Sequence, residues 1–273
     1  MKPFFRAAAG LVLAAAVNAP ADQPIMNMMP RWDGGYGVQF FYEYLQRDDL
    51  LMGDDVAFSG FREEVHQLHI EGVYTWDRSI RATFKLPLVL DAWREVPGPN
   101  NEKLQQSDEG IGDLTLALPL KKYFNLDNRS GSWTLAPQLR VPLDQQGEDD
   151  YDFWDRVWGG GVNLGYEFET QRFAFATSGA YWIFESAEPN ELHYSLDLGW
   201  RFRENADLLW ETDLHWEDDG TFFASGGPAL YWRITDLIHS RISWKHDFHS
   251  EVGELELDHG NGTRLRVGIG FVF

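Results

Sequence analysis

The chain has 273 residues and no cysteine, so disulfides and thiolate zinc sites play no part in its stability or chemistry. Long apolar runs are equally scarce. Beyond the first twenty or so residues, nothing approaches the roughly 18 to 20 uninterrupted apolar residues of a membrane-spanning helix, which excludes a helical membrane protein. Basic residues are few: 23 Lys and Arg stand against 43 Asp and Glu, for a formal net charge of -20. Such a surface repels nucleic acid and attracts cations. No phosphate loop, cofactor motif or paired zinc spacing occurs, and no segment after the N-terminal region carries a sustained helical period with caps. No cofactor is expected.

What is present in excess is aromatic: Phe, Tyr and Trp make up 15% of the chain, with 12 Trp. That is the composition of a barrel with aromatic girdles at two membrane interfaces. The mean hydropathy of -0.38 is compatible, because only alternate residues of a barrel strand face lipid.

The N-terminus reads as an export signal. A short basic region from Met1 to Arg6 leads into an apolar, alanine-rich run from Ala7 to Val17, and Ala19-Pro20-Ala21 offers small residues for cleavage. We therefore divide the chain into a signal peptide, 1–21, an N-terminal periplasmic or plug segment, 22–34, and a barrel, 35–273. Met26, Met28 and Met29 in the second segment are candidates for a soft thioether site, although packing of apolar surface explains them more simply.

From Gly35 onward, period-2 runs alternate with turn signals. They predict about twelve strands, near 35–46, 62–76, 79–92, 110–123, 131–143, 158–169, 171–185, 190–202, 206–217, 221–233, 237–249 and 262–273. The even-numbered links are short. Among the odd-numbered ones, 47–61, 93–109, 144–157 and 250–261 are long and acidic, while 186–189 and 218–220 are short. Long external loops facing short periplasmic turns characterise single-chain barrels with both termini on the periplasmic side. The two short odd links predict a rim that is low on one side. Pro87, Pro119, Pro137 and Pro228 fall inside strands and should weaken pairing there.

The last run, Thr263 to Phe273, places Leu265, Val267, Ile269, Phe271 and Phe273 on one face, and Arg264, Arg266, Gly268 and Gly270 on the other. It resembles the closing strand of bacterial outer-membrane β-barrels. That resemblance implies an assembly signal in Phe271 and Phe273, read by the barrel-assembly machinery, and a protein set in the outer membrane among lipid and lipopolysaccharide. The predicted fold is all-β: a single antiparallel up-and-down transmembrane barrel.

Two faces follow from the same alternation. Leu114, Leu116, Leu118 and Leu120 alternate with Asp113, Thr115, Ala117, Pro119 and Lys121; Leu192, Tyr194, Leu196, Leu198, Trp200 and Phe202 alternate with His193, Ser195, Asp197, Gly199 and Arg201. In the third strand, Ile80 to Leu88 alternate with Arg81, Thr83, Lys85 and Asp91. A charge on the lipid face at mid-bilayer costs about 2–4 kcal/mol, so the polar set must face inward. The lumen-lining candidates are His69, Glu71, Arg81, Lys85, Asp113, Arg140, His193, Asp197, Arg201, Glu211, Asp213, His215, Arg241, Lys245, Arg264 and Arg266. Arg264 and Arg266 are expected to pair with carboxylates of the first or eleventh strand.

His193, Ser195 and Asp197 resemble the His-x-Ser of the twelve-stranded outer-membrane phospholipase. Here the trio faces inward, with neighbours about 7 Å apart by the ~3.3 Å rise of a strand, so no catalytic site is expected. His246, His249 and His259 near the external end read as rim residues rather than metal ligands. Gly110-Ile111-Gly112-Asp113 is similar to the strand motif of the family named for the meta-pathway of phenol degradation, and this resemblance implies transport of hydrophobic or aromatic compounds. The preferred function is a channel for small solutes. A non-conducting barrel whose acidic loops bind divalent cations or lipopolysaccharide is the first alternative, and an outer-membrane hydrolase the second.

Overall fold

Alternating apolar and polar side chains can satisfy every backbone group in a membrane only if the strands close on themselves, and they do. In a computed structural model the described residues are 34–273, apart from 78, 127–128, 144–155, 186–187 and 254–255. The expected signal peptide, the methionine segment up to residue 33 and most of the expected loop 144–157 lie outside them.

The strands are β1 (Gly35–Met52), β2 (Asp55–Asp77), β3 (Ile80–Pro97), β4 (Lys103–Ile111), β5 (Leu114–Ala117), β6 (Leu120–Leu126), β7 (Arg129–Val141), β8 (Gly159–Thr170), β9 (Phe173–Phe184), β10 (Glu191–Arg203), β11 (Ala206–Glu217), β12 (Phe222–Arg233), β13 (Ile238–Glu251), β14 (Asp258–Gly260) and β15 (Thr263–Val272). The β4, β5 and β6 segments together occupy one position in the wall, and β14 with β15 another, which gives the closed, twelve-strand antiparallel barrel. Sequence neighbours pair around it, and β15 returns to β1. Phe273 and Tyr36 exchange backbone hydrogen bonds of 2.8 and 3.2 Å and stack their rings. Between β9 and β10, Arg201 N–H donates to the Arg172 carbonyl at 2.8 Å and Thr177 Oγ1 to the Ser195 carbonyl at 3.0 Å.

Three expectations need correction. The predicted run 110–123 is interrupted twice. Gly112 leaves the ladder to donate to the Pro87 carbonyl, and Leu118-Pro119 breaks it again because Pro119 has no N–H to give. Second, links 47–61 and 93–109 are largely strand: Asp49 pairs with Ser59, Met52 with Asp55, and Arg94 with Gln106. These segments carry polar residues on both faces, so their periodicity fades although the ladder continues. At 23 residues, β2 far exceeds the ~9–11 needed to cross a bilayer. The first two hairpins therefore project outward, while on the opposite side β9 ends at Phe184 and β11 at Glu217, a few residues before β10 and β12 begin, so that rim is low, as the short links predict. Third, a bulge beside Asp91 places it opposite the outward His66, so Asp91 leaves the inward set.

Pro228 acts as expected. The β12–β13 ladder skips from Gly226–His246 to Ala229–Ser243, and the strands come so close that a Cβ on Gly227 would fall 2.0 Å from the Trp244 carbonyl oxygen. Gly227→Ala is expected to destabilise the folded barrel by roughly 1–3 kcal/mol in urea titrations, through forced backbone displacement. Gly160→Ala, where a Cβ meets nothing within 4 Å, should be close to neutral.

Outward positions are mostly apolar along the middle of the wall, and aromatic residues collect near its ends: Tyr36, Tyr74, Trp76, Trp133, Trp200 and Trp232 towards the end where β1 begins, Trp93, Trp158, Trp216 and Phe222 towards the other. Arg81, Lys85 and Glu71 point the other way and are buried.

Candidate functional site: the charged interior

Every second residue of adjacent strands meets inside the barrel, so side chains far apart in sequence form continuous rows. The largest is a belt over β10, β11, β13, β15, β1, β2 and β3. Arg266 contacts Glu71 at 2.7 Å and Glu43 at 3.6 Å, and its guanidinium lies 4.1 Å from the centre of the Phe41 ring. Arg264 and His69 also reach Glu43, at 3.6 and 3.5 Å. Lys85 lies within electrostatic range of Glu71 and Glu43. Further round, Arg241 and Lys245 both engage Glu211, Lys245 also engages Asp213, and Asp197 faces the same group. Named together, Glu43, Glu71, Asp197, Glu211 and Asp213 match Lys85, Arg241, Lys245, Arg264 and Arg266 in number. The belt balances its own charge, which is how charged groups are held where solvation is limited.

Smaller groups complete the wall. Arg81 donates to the Tyr123 hydroxyl at 2.9 Å, and Lys121 pairs with Glu167 at 2.5 Å. Arg201, near the end of the barrel where β1 begins, pairs with Asp207 at 3.1 Å and Glu169 at 3.6 Å. Asp113 is buried at the break after Gly112, within reach of Arg140 and Arg156. Arg140 spans both oxygens of Glu191, whose Oε2 lies 2.5 Å from His193 Nε2; the His193 and His215 rings stack at 4.3 Å.

Above the membrane the chemistry is that of a rim. At Glu95, burial pushes the carboxyl up, but hydrogen bonds from Lys103 and the Arg62 amide outweigh it and hold the group below the usual carboxylate range. Burial and the neighbouring Glu63 raise Asp258, while burial lowers His259. The structure does not bring the three rim histidines together: His246 bonds Thr263, His249 lies beside Phe222, and His259 is buried where β14 pairs with β1.

The sixteen lumen candidates are buried or half-buried, and Arg264 and Arg266 pair with Glu43 of β1. Two important partners, Glu43 and Glu191, were not among the candidates. Glu43 was legible, since it follows Gln39 and Phe41 at spacings of two. Glu191 opens its strand, where the alternation has only begun.

An apolar exterior with aromatic ends around a charge-balanced interior defines a porin-like β-barrel built to sit in a membrane. No protein-family model matches the chain, and no curated protein matches it in sequence. Among solved structures it is similar to an outer membrane channel from Pseudomonas putida F1, with TM-score 0.71 and 16% identity over 88% of this chain and 96% of that one. It is also similar to the KdgM porin in complex with disordered oligogalacturonate, with TM-score 0.53 and 8% identity over 87% and 99% of the two chains. At these identities the likeness is one of fold.

Proposed function

We propose that this chain is an outer-membrane channel for small solutes. The carrying observation is that charged and polar inward groups keep accessible surface at successive levels of one wall. Side chains of Arg201 near the periplasmic end, Lys245 and Asp213 at the belt, and His215 and Arg264 towards the external end are 28, 16, 13, 24 and 31% accessible. A row of accessible polar groups with charges of both signs favours hydrated solutes. The fold shared with an outer membrane channel and a porin supports the same reading. The finer class of aromatic compounds rests on the family resemblance carried by the motif at Gly110 to Asp113, and here that motif serves a strand break and the buried Asp113.

The competing readings have less support. Three of the described rim acids are already engaged: Asp108 by Arg156, Glu95 by Lys103, and Asp49 by the Gly60 amide and Asn261. For a hydrolase, Ser195 Oγ meets Ser178 Oγ at 3.0 Å while His193 turns to Glu191, so nucleophile and base are not joined. We assign the paired closing strand ending at Phe271 and Phe273 to recognition by the assembly machinery, with lipid and lipopolysaccharide as the surroundings.

Purified full-length protein inserted into planar bilayers is expected to give discrete conductance steps. Insertion without conductance, at any applied voltage, would overturn the channel reading.

A further inference from the structure

We propose that Glu191, His193 and His215 form a binding site for a divalent transition-metal ion, with zinc the best chemical fit, on the inner wall towards the external end. It is the one group among the described residues in which three ligand-type side chains converge, their donor atoms all within 4.8 Å of one another.

The site follows from strand register. His193 stands directly opposite His215, and Glu191 directly opposite Glu217. Residues two apart on a strand share a face, so two imidazoles and two carboxylates form a square on paired strands. Glu217 Oε1 lies 3.2 Å from His215 Nε2, which makes it the side chain placed to serve as a fourth ligand. Tetrahedral zinc with bonds of ~2.0–2.1 Å holds its donor atoms about 3.3 Å apart, a spacing these side chains reach by small rotations.

Two further observations point to a ligand. His193 is 95% removed from solvent, its exposure being 5%, yet its Nδ1 is buried without a hydrogen-bond partner. A buried imidazole nitrogen left unpaired is costly, and metal coordination is one way to use it. Around the cluster stands a supporting shell. Arg140 holds Glu191 by both oxygens, and is itself fixed over the Phe184 and Trp182 rings at 4.4 and 5.2 Å. With Oε2 on the metal, Oε1 would keep the arginine, the kind of outer partner that orients a ligating carboxylate. Imidazole with carboxylate favours zinc and its neighbours over calcium or magnesium, which prefer oxygen alone.

The consequence for transport rests on the channel reading: an ion at this level would narrow the mouth and add positive charge there. The site itself does not depend on that reading. Metal-free full-length protein in detergent, titrated with Co2+, is expected to develop the visible absorption of a low-symmetry nitrogen- and oxygen-ligated ion at one equivalent, and added Zn2+ should displace it. The double replacement His193→Ala with His215→Ala should weaken Zn2+ binding by at least about tenfold, whereas His246→Ala should leave it unchanged. Should the double variant fail to fold, by loss of its tryptophan fluorescence signature, His193→Gln replaces it as the test. No uptake by the wild type, or uptake insensitive to these changes, overturns the proposal. Zn2+ binding without any conductance in bilayers would leave the site standing and remove the channel.

Discussion

Arg241→Met is expected to lower the unfolding free energy of the folded barrel by about 3–5 kcal/mol, the cost of removing one partner from a buried ion pair. Arg241 is 7% exposed and Glu211 2%, and the guanidinium is that carboxylate's nearest cation. Methionine keeps most of the volume, so packing changes little. It leaves Glu211, Asp213 and Asp197 around the single ammonium of Lys245, and upsets the balance of the belt. Urea titration of vesicle-inserted protein, followed by the tryptophan signal, measures the loss. Adding Glu211→Gln to Arg241→Met should recover most of it, because the stranded charge goes with its partner. A loss below about 1 kcal/mol for the single change would mean that water screens this part of the wall as it does a surface pair.

Leu164→Arg is the second large effect, at about 2–4 kcal/mol. Leu164 points outward midway along β8, between Val162 and Tyr166, opposite Leu135 of β7 and Gly179 of β9. An arginine there must carry its charge into the middle of the hydrocarbon layer or thin the bilayer around it. Ile183 also points outward, but lies four residues nearer the external end than Gly179 and pairs with Gly160. Ile183→Arg should cost no more than about 1 kcal/mol, since the penalty falls towards the interface. Equal and small effects at both depths, in the same vesicles, would mean that the apolar face does not meet lipid.

Much of this design is written locally. Eleven of the twelve predicted strands correspond to strands of the barrel with shifts mainly at their external ends, because a period of two persists wherever one side meets lipid. It is lost where both sides meet water, which is why the upper ends of β1, β2 and β3 and most of β4 read as loops. The prolines also spoke locally: Pro119 and Pro228 interrupt the ladder where their missing N–H requires it. Asp91 misled for the opposite reason, since a bulge reverses side-chain direction without leaving a trace in the alternation.

The site divides along the same line. Which residues face inward follows from their parity along each strand, a property of the chain alone. Which of them touch does not. Arg266 meets Glu71 across 195 positions of sequence and Arg241 meets Glu211 across 30, contacts fixed only by the register of neighbouring strands and the closure of the sheet. His193, two residues from Glu191, acquires His215 as its stacked partner by register alone. The sequence by itself determined the barrel, its two faces and the sign of each inward group, because alternation is local. Only the tertiary structure decided the charge-balanced belt and the convergence of two histidines and a glutamate, because pairing across strands is a matter of geometry between segments.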